Sequence, residues 1–171
     1  MSEEKKPKIL IVEDEYACRD LCHKGLKEAL GEDGYIGLEA TTHGQAEEIF
    51  TQNPDISVII MDACLDGDAQ DTLGLVKKFR ETFKGPMIAA SRLADYNTLL
   101  CNAGCDFRVK KSPNFNNNIW SVVTTQILPH LQQMQQLEPP QQPSGDGKVV
   151  EGTLGTEPGW MQGKTEGGGN S

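Results

Sequence analysis

The chain has 171 residues and a formal net charge of −9, from 16 basic and 25 acidic side chains. That balance argues against a general nucleic-acid binder, which needs a basic face. No apolar run reaches the about 20 residues a membrane-spanning helix needs. The start, MSEEKKPKIL, lacks the apolar centre of a secretory leader, and the five cysteines make no short disulfide framework. The expected setting is therefore cytoplasmic, with reduced thiols.

Residues 1–6 are charged and expected to be disordered. Lys8–Val12 is a short apolar run ending in Glu13-Asp14-Glu15, read as a first strand with acids at its carboxyl end. From Tyr16 to Leu30, Ala17, Leu21, Cys22, Gly25, Leu26, Ala29 and Leu30 recur at helical spacing, and Gly31 and Gly34 stop the run. Tyr35–Thr41 reads as a weaker strand, and Gln45–Thr51 as a short helix with Ala46, Ile49 and Phe50 inward. Val58–Met61 runs straight into Asp62, the pattern of a strand buried on both faces. A polar loop follows, then a helix from Asp71, as N-cap, to about Phe83.

Met87–Ser91 is the fourth strand and Asp95–Ala103 a short helix stopped by Gly104. Phe107–Lys111 is the fifth strand. The last helix starts near Asn117, with Trp120, Val123, Ile127 and Leu131 on one face and Trp120 expected in the core. Pro129 is expected to kink or end it. The alternation predicts an α/β fold over residues 7–136, a five-stranded, doubly wound parallel sheet of flavodoxin-like (βα)5 order. Residues 137–171 hold nine of the eighteen glycines and keep no apolar period, so this segment is expected to be a disordered tail.

In a parallel sheet the carboxyl ends of all strands share one edge, where ligands collect. Glu13, Asp14, Asp62, Ser91 and one of Lys110 or Lys111 would converge there. Clustered carboxylates repel, so they hold a proton or take up a cation. An all-oxygen set suits Mg2+. A carboxylate can attack phosphorus and form an aspartyl phosphate, with an ammonium, a hydroxyl and a metal ion meeting the phosphoryl oxygens. The cysteine pairs Cys18/Cys22 and Cys101/Cys105 read as small buried thiols rather than zinc ligands.

The pieces ILIVEDE, VIIMD, PMIAAS and GCDFRVKK, in this order and each at a strand end, resemble the receiver domain of two-component response regulators, over about residues 7 to 135. The resemblance implies that Asp62 is the phospho-acceptor. It implies that Glu13 and Asp14, with Asp62 and the backbone carbonyl of Cys64, hold Mg2+, and that Ser91 is the switch hydroxyl. Lys111, counted without a gap from Gly104, is the preferred site lysine, and Lys110 is the alternative. The implied protein is a stand-alone switch rather than an enzyme acting on other substrates. Its implied partners are a histidine kinase or a histidine phosphotransfer protein upstream and a target protein downstream, with neither direct nucleic-acid binding nor membrane insertion. Three positions depart from the family pattern: Asp66 stands where proline is usual, Arg92 where a small residue is usual, and Ser112 separates the lysine from Pro113. The alternatives are a receiver-like interaction module that works without phosphorylation and a Mg2+-dependent phosphatase. The phosphatase would normally carry a second acid at the position of Cys64.

Overall fold

The computed structural model describes residues 5–67 and 70–137. The expected disorder of residues 1–4 and of the tail from residue 138 lies outside the described residues. The elements run β1 (Lys8–Val12), α1 (Tyr16–Leu30), β2 (Ile36–Ala40), α2 (His43–Gln52), β3 (Ile56–Asp62), α3 (Leu73–Thr82), β4 (Met87–Ser91), α4 (Ala94–Ala103), β5 (Phe107–Lys110) and α5 (Phe115–Val122). A π-helical turn, Val123–Ile127, then leads into α6 (Leu128–Leu137). The five strands lie in the order β2-β1-β3-β4-β5, and every pair is parallel. This is the flavodoxin-like doubly wound order expected from the alternation, with its switch point between β1 and β3.

Each strand sends alternate side chains to opposite faces. Ile9, Ile11, Val58, Ile60, Ile88, Ala90 and Val109 pack with Cys22 and Leu26 of α1 and with Phe115 and Ile119 of α5. Leu10, Val12, Ile59, Met61, Met87 and Ala89 pack with Ala46 of α2, Leu75, Val76 and Phe79 of α3, and Leu100 of α4. β1, β3 and β4 are covered on both faces and are apolar almost throughout, whereas β2 lies at an edge and is mostly exposed. That position explains its weaker sequence signal.

At the amino-terminal edge, opposite the acids, Arg80 fastens α3 to the β4 and β5 starts. Its guanidinium donates to the carbonyls of Phe83, Gly85 and Gly104 and to Asp106 Oδ2 at 2.7–3.1 Å.

Three local expectations are corrected. The buried face that runs from α5 through the π turn is Phe115, Ile119, Val123 and Ile127, spaced by four, so Trp120 falls outside it and is 45% exposed. Pro129 does not end the helix: the chain continues through the π turn, where Leu128 N–H bonds to Val123 O, five residues back. Widening the turn before a proline relieves the ring's clash with the preceding carbonyls and absorbs the missing donor. Asp71 is not the α3 cap, since Thr72 holds that position, and the Asp71 carboxylate accepts from Leu65 N–H instead, at 3.0 Å.

The α1–α5 contact is close. A Cβ on the buried Gly25 would stand 2.4 Å from the Asn116 carbonyl oxygen in α5. Gly25→Ala therefore gains helix propensity, worth up to about 1 kcal/mol, and loses more through overpacking, about 1–3 kcal/mol. A Cβ on Gly74 in α3 meets nothing within 4 Å, so Gly74→Ala should be neutral to mildly stabilising. Urea unfolding of the two variants checks both signs, and a stabilised Gly25→Ala would contradict the packing described.

Candidate functional site

The same alternation that builds the two cores delivers the site. Ile9, Ile11 and Glu13 point to the α1/α5 face, as do Val58, Ile60 and Asp62. Val109 does so on β5, and Lys111 follows it in phase. β1, β3 and β5 thus release Glu13, Asp62 and Lys111 on one side of one edge. Glu13 and Asp62 are 2% and 6% exposed. The Lys111 ammonium lies between them, its Nζ 2.5 Å from Glu13 Oε2 and 2.6 Å from Asp62 Oδ2, with its side chain 7% exposed. Lys110 falls out of phase and is exposed on β5, so the lysine that meets the acids is Lys111.

The second oxygen of each buried acid is also held. Asp62 Oδ1 accepts from Ala63 N–H at 2.6 Å, and Glu13 Oε1 accepts from Glu15 N–H at 3.2 Å. Burial, and then the neighbouring Asp62 charge, push the Glu13 carboxyl up to about 7 despite the opposing pull of Lys111. Burial alone would lower the Lys111 ammonium, but the charges of Asp62 and Glu13 outweigh it and hold it above its usual value.

Asp14 is exposed at the rim, and ligand oxygens of Glu13, Asp14 and Asp62 lie within 4.8 Å of one another. Three carboxylates against one ammonium leave the cleft anionic, and every donor is oxygen. Such a set fits a hard divalent cation. Cys64, half-buried, lies two residues beyond Asp62. Glu15 and Cys18 stand close to Glu13, but burial and then Glu13 push the Cys18 thiol up to about 11, and the protonated sulfur donates to Glu15 Oε2 at 3.3 Å. A metal ion bound there would have to displace that proton, which the raised pKa makes costly.

Ser91 ends β4 next to Asp62, whose β4 partner is Ala90. The hydroxyl is buried, and its oxygen accepts from Leu93 N–H at 3.2 Å. The backbone of Ser91 is tied to β5 twice. Lys111 N–H donates to its carbonyl at 3.0 Å, and the buried Asn97 amide donates to that carbonyl at 3.4 Å and to Val109 O at 3.0 Å. Arg92 turns outward and pairs with Glu15 at 2.5 Å, bridging the β4–α4 and β1–α1 loops at the rim.

The loop after β3 closes on Asp71, whose N–H donates to Ala63 O at 3.1 Å. Asp66 in this loop is exposed, and Asp68 lies outside the described residues. Thr72 was not singled out from sequence. Fully buried, it donates from Oγ1 to the Asp62 carbonyl at 2.6 Å. A threonine at a helix start signals a cap, and nothing in its spacing points across the loop to β3.

No protein-family model and no curated protein matches the sequence. Solved structures do match the fold. A receiver domain protein (CheY-like) from Methanospirillum hungatei is 21% identical, with a TM-score of 0.58 over 77% of this chain and 98% of that one. A two-component response regulator from Clostridium difficile is 23% identical, with a TM-score of 0.58 over 75% and 98%. A Burkholderia pseudomallei response regulator, solved with a phosphorylated aspartic acid, a calcium ion and citrate, is 17% identical, with a TM-score of 0.56 over 79% and 76%. At these identities the likeness is one of fold: the chain has the receiver fold of response regulators. No described helix is long and apolar enough to cross a membrane.

The two lysines give a direct test of this geometry. Lys111→Met removes the one ammonium between two buried carboxylates and should cost about 3 kcal/mol. Lys110→Met should stay within about 0.5 kcal/mol, as surface changes do. Equal effects in denaturant unfolding would contradict the placement of Lys111.

Proposed function

We propose that this protein is a phosphorylation-driven switch in which Asp62 accepts a phosphoryl group from a phosphohistidine. The observation that carries the reading is the convergence of Asp62, Glu13 and Lys111 in one buried cleft at the sheet edge, on a receiver fold. The donor is a histidine kinase or a histidine phosphotransfer protein.

In the transfer, an Asp62 carboxylate oxygen forms a bond to phosphorus as the P–N bond to the donor's imidazole breaks. The bonding pair leaves with the imidazole nitrogen. The Lys111 ammonium, already on Asp62 Oδ2, is placed to follow the added negative charge onto a phosphoryl oxygen, forming a charge-assisted hydrogen bond. The Ala63 N–H fixes the orientation of the carboxylate. The Ser91 hydroxyl is free to donate, because in the structure its oxygen accepts from Leu93 N–H, and a rotation about its side chain turns it toward Asp62. Glu13, Asp14 and Asp62, with the Cys64 backbone carbonyl, would hold Mg2+. When bound, the ion neutralises charge on the phosphoryl oxygens.

Turning the Ser91 hydroxyl gives up its bond from Leu93 N–H at the start of α4 and frees the Ser91 backbone to shift with it. Its carbonyl is shared with Lys111 N–H and Asn97, and Asn97 also holds Val109. A shift of Ser91 is therefore felt by α4 and β5 together. Taking such a switch from 1:99 to 99:1 requires about 5.5 kcal/mol of differential stabilisation. New bonds to the phosphoryl oxygens are of the charge-assisted kind able to supply it. The output is contact with a target protein or onward phosphoryl transfer.

Incubation with acetyl phosphate or phosphoramidate and Mg2+ should add one phosphoryl group, stable in acid and labile in base, and chelation of the metal should abolish the addition. Intact-mass spectrometry reads both results. An unmodified wild type, or Asp62→Asn modified as readily, would sink the reading.

A further inference from the structure

Glu13 and Asp14 sit on the turn between β1 and α1, and a metal site is only as well defined as the backbone that carries its ligands. The side chain that grips this turn belongs to Arg19, one helical turn into α1. Its Nη1 donates to the carbonyls of both Glu13, at 2.9 Å, and Asp14, at 2.8 Å. Its Nε donates to Glu39 Oε2 on β2 at 3.0 Å, and the side chain is 14% exposed. The planar guanidinium makes all three bonds from one fixed fork.

Glu39 is oriented in turn. His23 Nε2 donates to Glu39 Oε1 at 2.9 Å, and Tyr35 Oη lies 2.6 Å from His23 Nδ1. β2 makes room for this ring through Gly37, where a Cβ would stand 2.8 Å from His23 Cε1. Tyr35, His23 and Glu39 thus form a chain on the outer side of α1 and β2 that ends on Arg19, and Arg19 ends on the two carbonyls behind the acids.

We propose that Arg19 is a positioning residue for the cation site. It sets the Glu13–Asp14 backbone so that both carboxylates face Asp62, and Glu39 holds it in place. The inference rests on the metal-binding reading of the acid cluster and adds to it a residue that touches neither metal nor phosphoryl group.

Two physical readings of Arg19 predict opposite signs. As a positive charge near an anionic site, it would repel a dication, so removing it would tighten binding. As a positioning group, its removal loosens the turn and weakens binding, by about tenfold or more if it behaves like other outer-shell partners of metal ligands. Isothermal titration with Mg2+, and with Mn2+ as a second probe, of the full chain decides between them. Arg19→Met should bind about tenfold more weakly or worse, with far-UV circular dichroism and thermal unfolding of the metal-free protein showing it folded. Arg19→Lys keeps the charge but not the fork, and should also lose affinity. Unchanged or tighter binding in Arg19→Met, or wild-type binding in Arg19→Lys, overturns the proposal. If Arg19→Met does not fold, Glu39→Gln, which leaves the two carbonyl bonds but loosens their anchor, must weaken binding in the same direction; unchanged binding there overturns it.

A metal-independent readout separates this inference from the reading beneath it. Amide exchange of Glu15, whose N–H bonds to Glu13 Oε1, should speed up several-fold in metal-free Arg19→Met. A wild type that takes up neither ion defeats the metal reading, and unchanged Glu15 exchange defeats the positioning role by itself.

Discussion

Two carboxylates buried side by side need a shared proton or a counter-charge, and in this protein Lys111 supplies the counter-charge. Its ammonium touches Glu13 and Asp62 at 2.5 and 2.6 Å. The contact joins β1, β3 and β5, whose ends would otherwise repel or splay apart. It also leaves the cleft short of positive charge, because three carboxylates, Glu13, Asp14 and Asp62, face one ammonium. A buried ion pair of this kind is a poor source of stability compared with apolar packing. Placed at the carboxyl edge of a parallel sheet, where ligands collect, it is the feature on which the proposed switch is built.

Around this contact the backbone is held at several points by groups remote from the acids. Thr72 holds the Asp62 carbonyl, Asn97 spans Ser91 and Val109, and Arg19 takes the carbonyls of Glu13 and Asp14. The rim carries what is particular to this chain. Arg92 and Glu15 pair across it, and the loop after β3 closes on Asp71. An exposed pair such as Arg92–Glu15 contributes little to stability.

Much of this was legible from sequence because it follows from burial patterns. β1, β3 and β4 are apolar on both faces, and each ends in a polar residue, so Glu13, Asp62 and Ser91 could be placed at one edge without coordinates. The choice between Lys110 and Lys111 was harder, since the two are neighbours. It turns on the phase of β5 set by Val109, a short strand with a single fully buried position. Trp120 was misplaced for a similar reason: several apolar residues in the last helix fit a helical period, and the core selects the phase through Phe115 and Ile119. Thr72 and Arg19 were out of reach because what they hold at the site is backbone carbonyls, which leave no trace in a pattern of side chains.

The central claim is that Asp62 accepts a phosphoryl group in this cleft, and beryllofluoride, which occupies the geometry of a phosphoryl group on a carboxylate, tests it without a cognate kinase. Fluorine-19 NMR of the protein with beryllofluoride and Mg2+ should show bound resonances in the wild type that vanish on chelation of the metal and are absent in Asp62→Asn. No bound resonance in the wild type, or the same resonances in Asp62→Asn, would contradict the account.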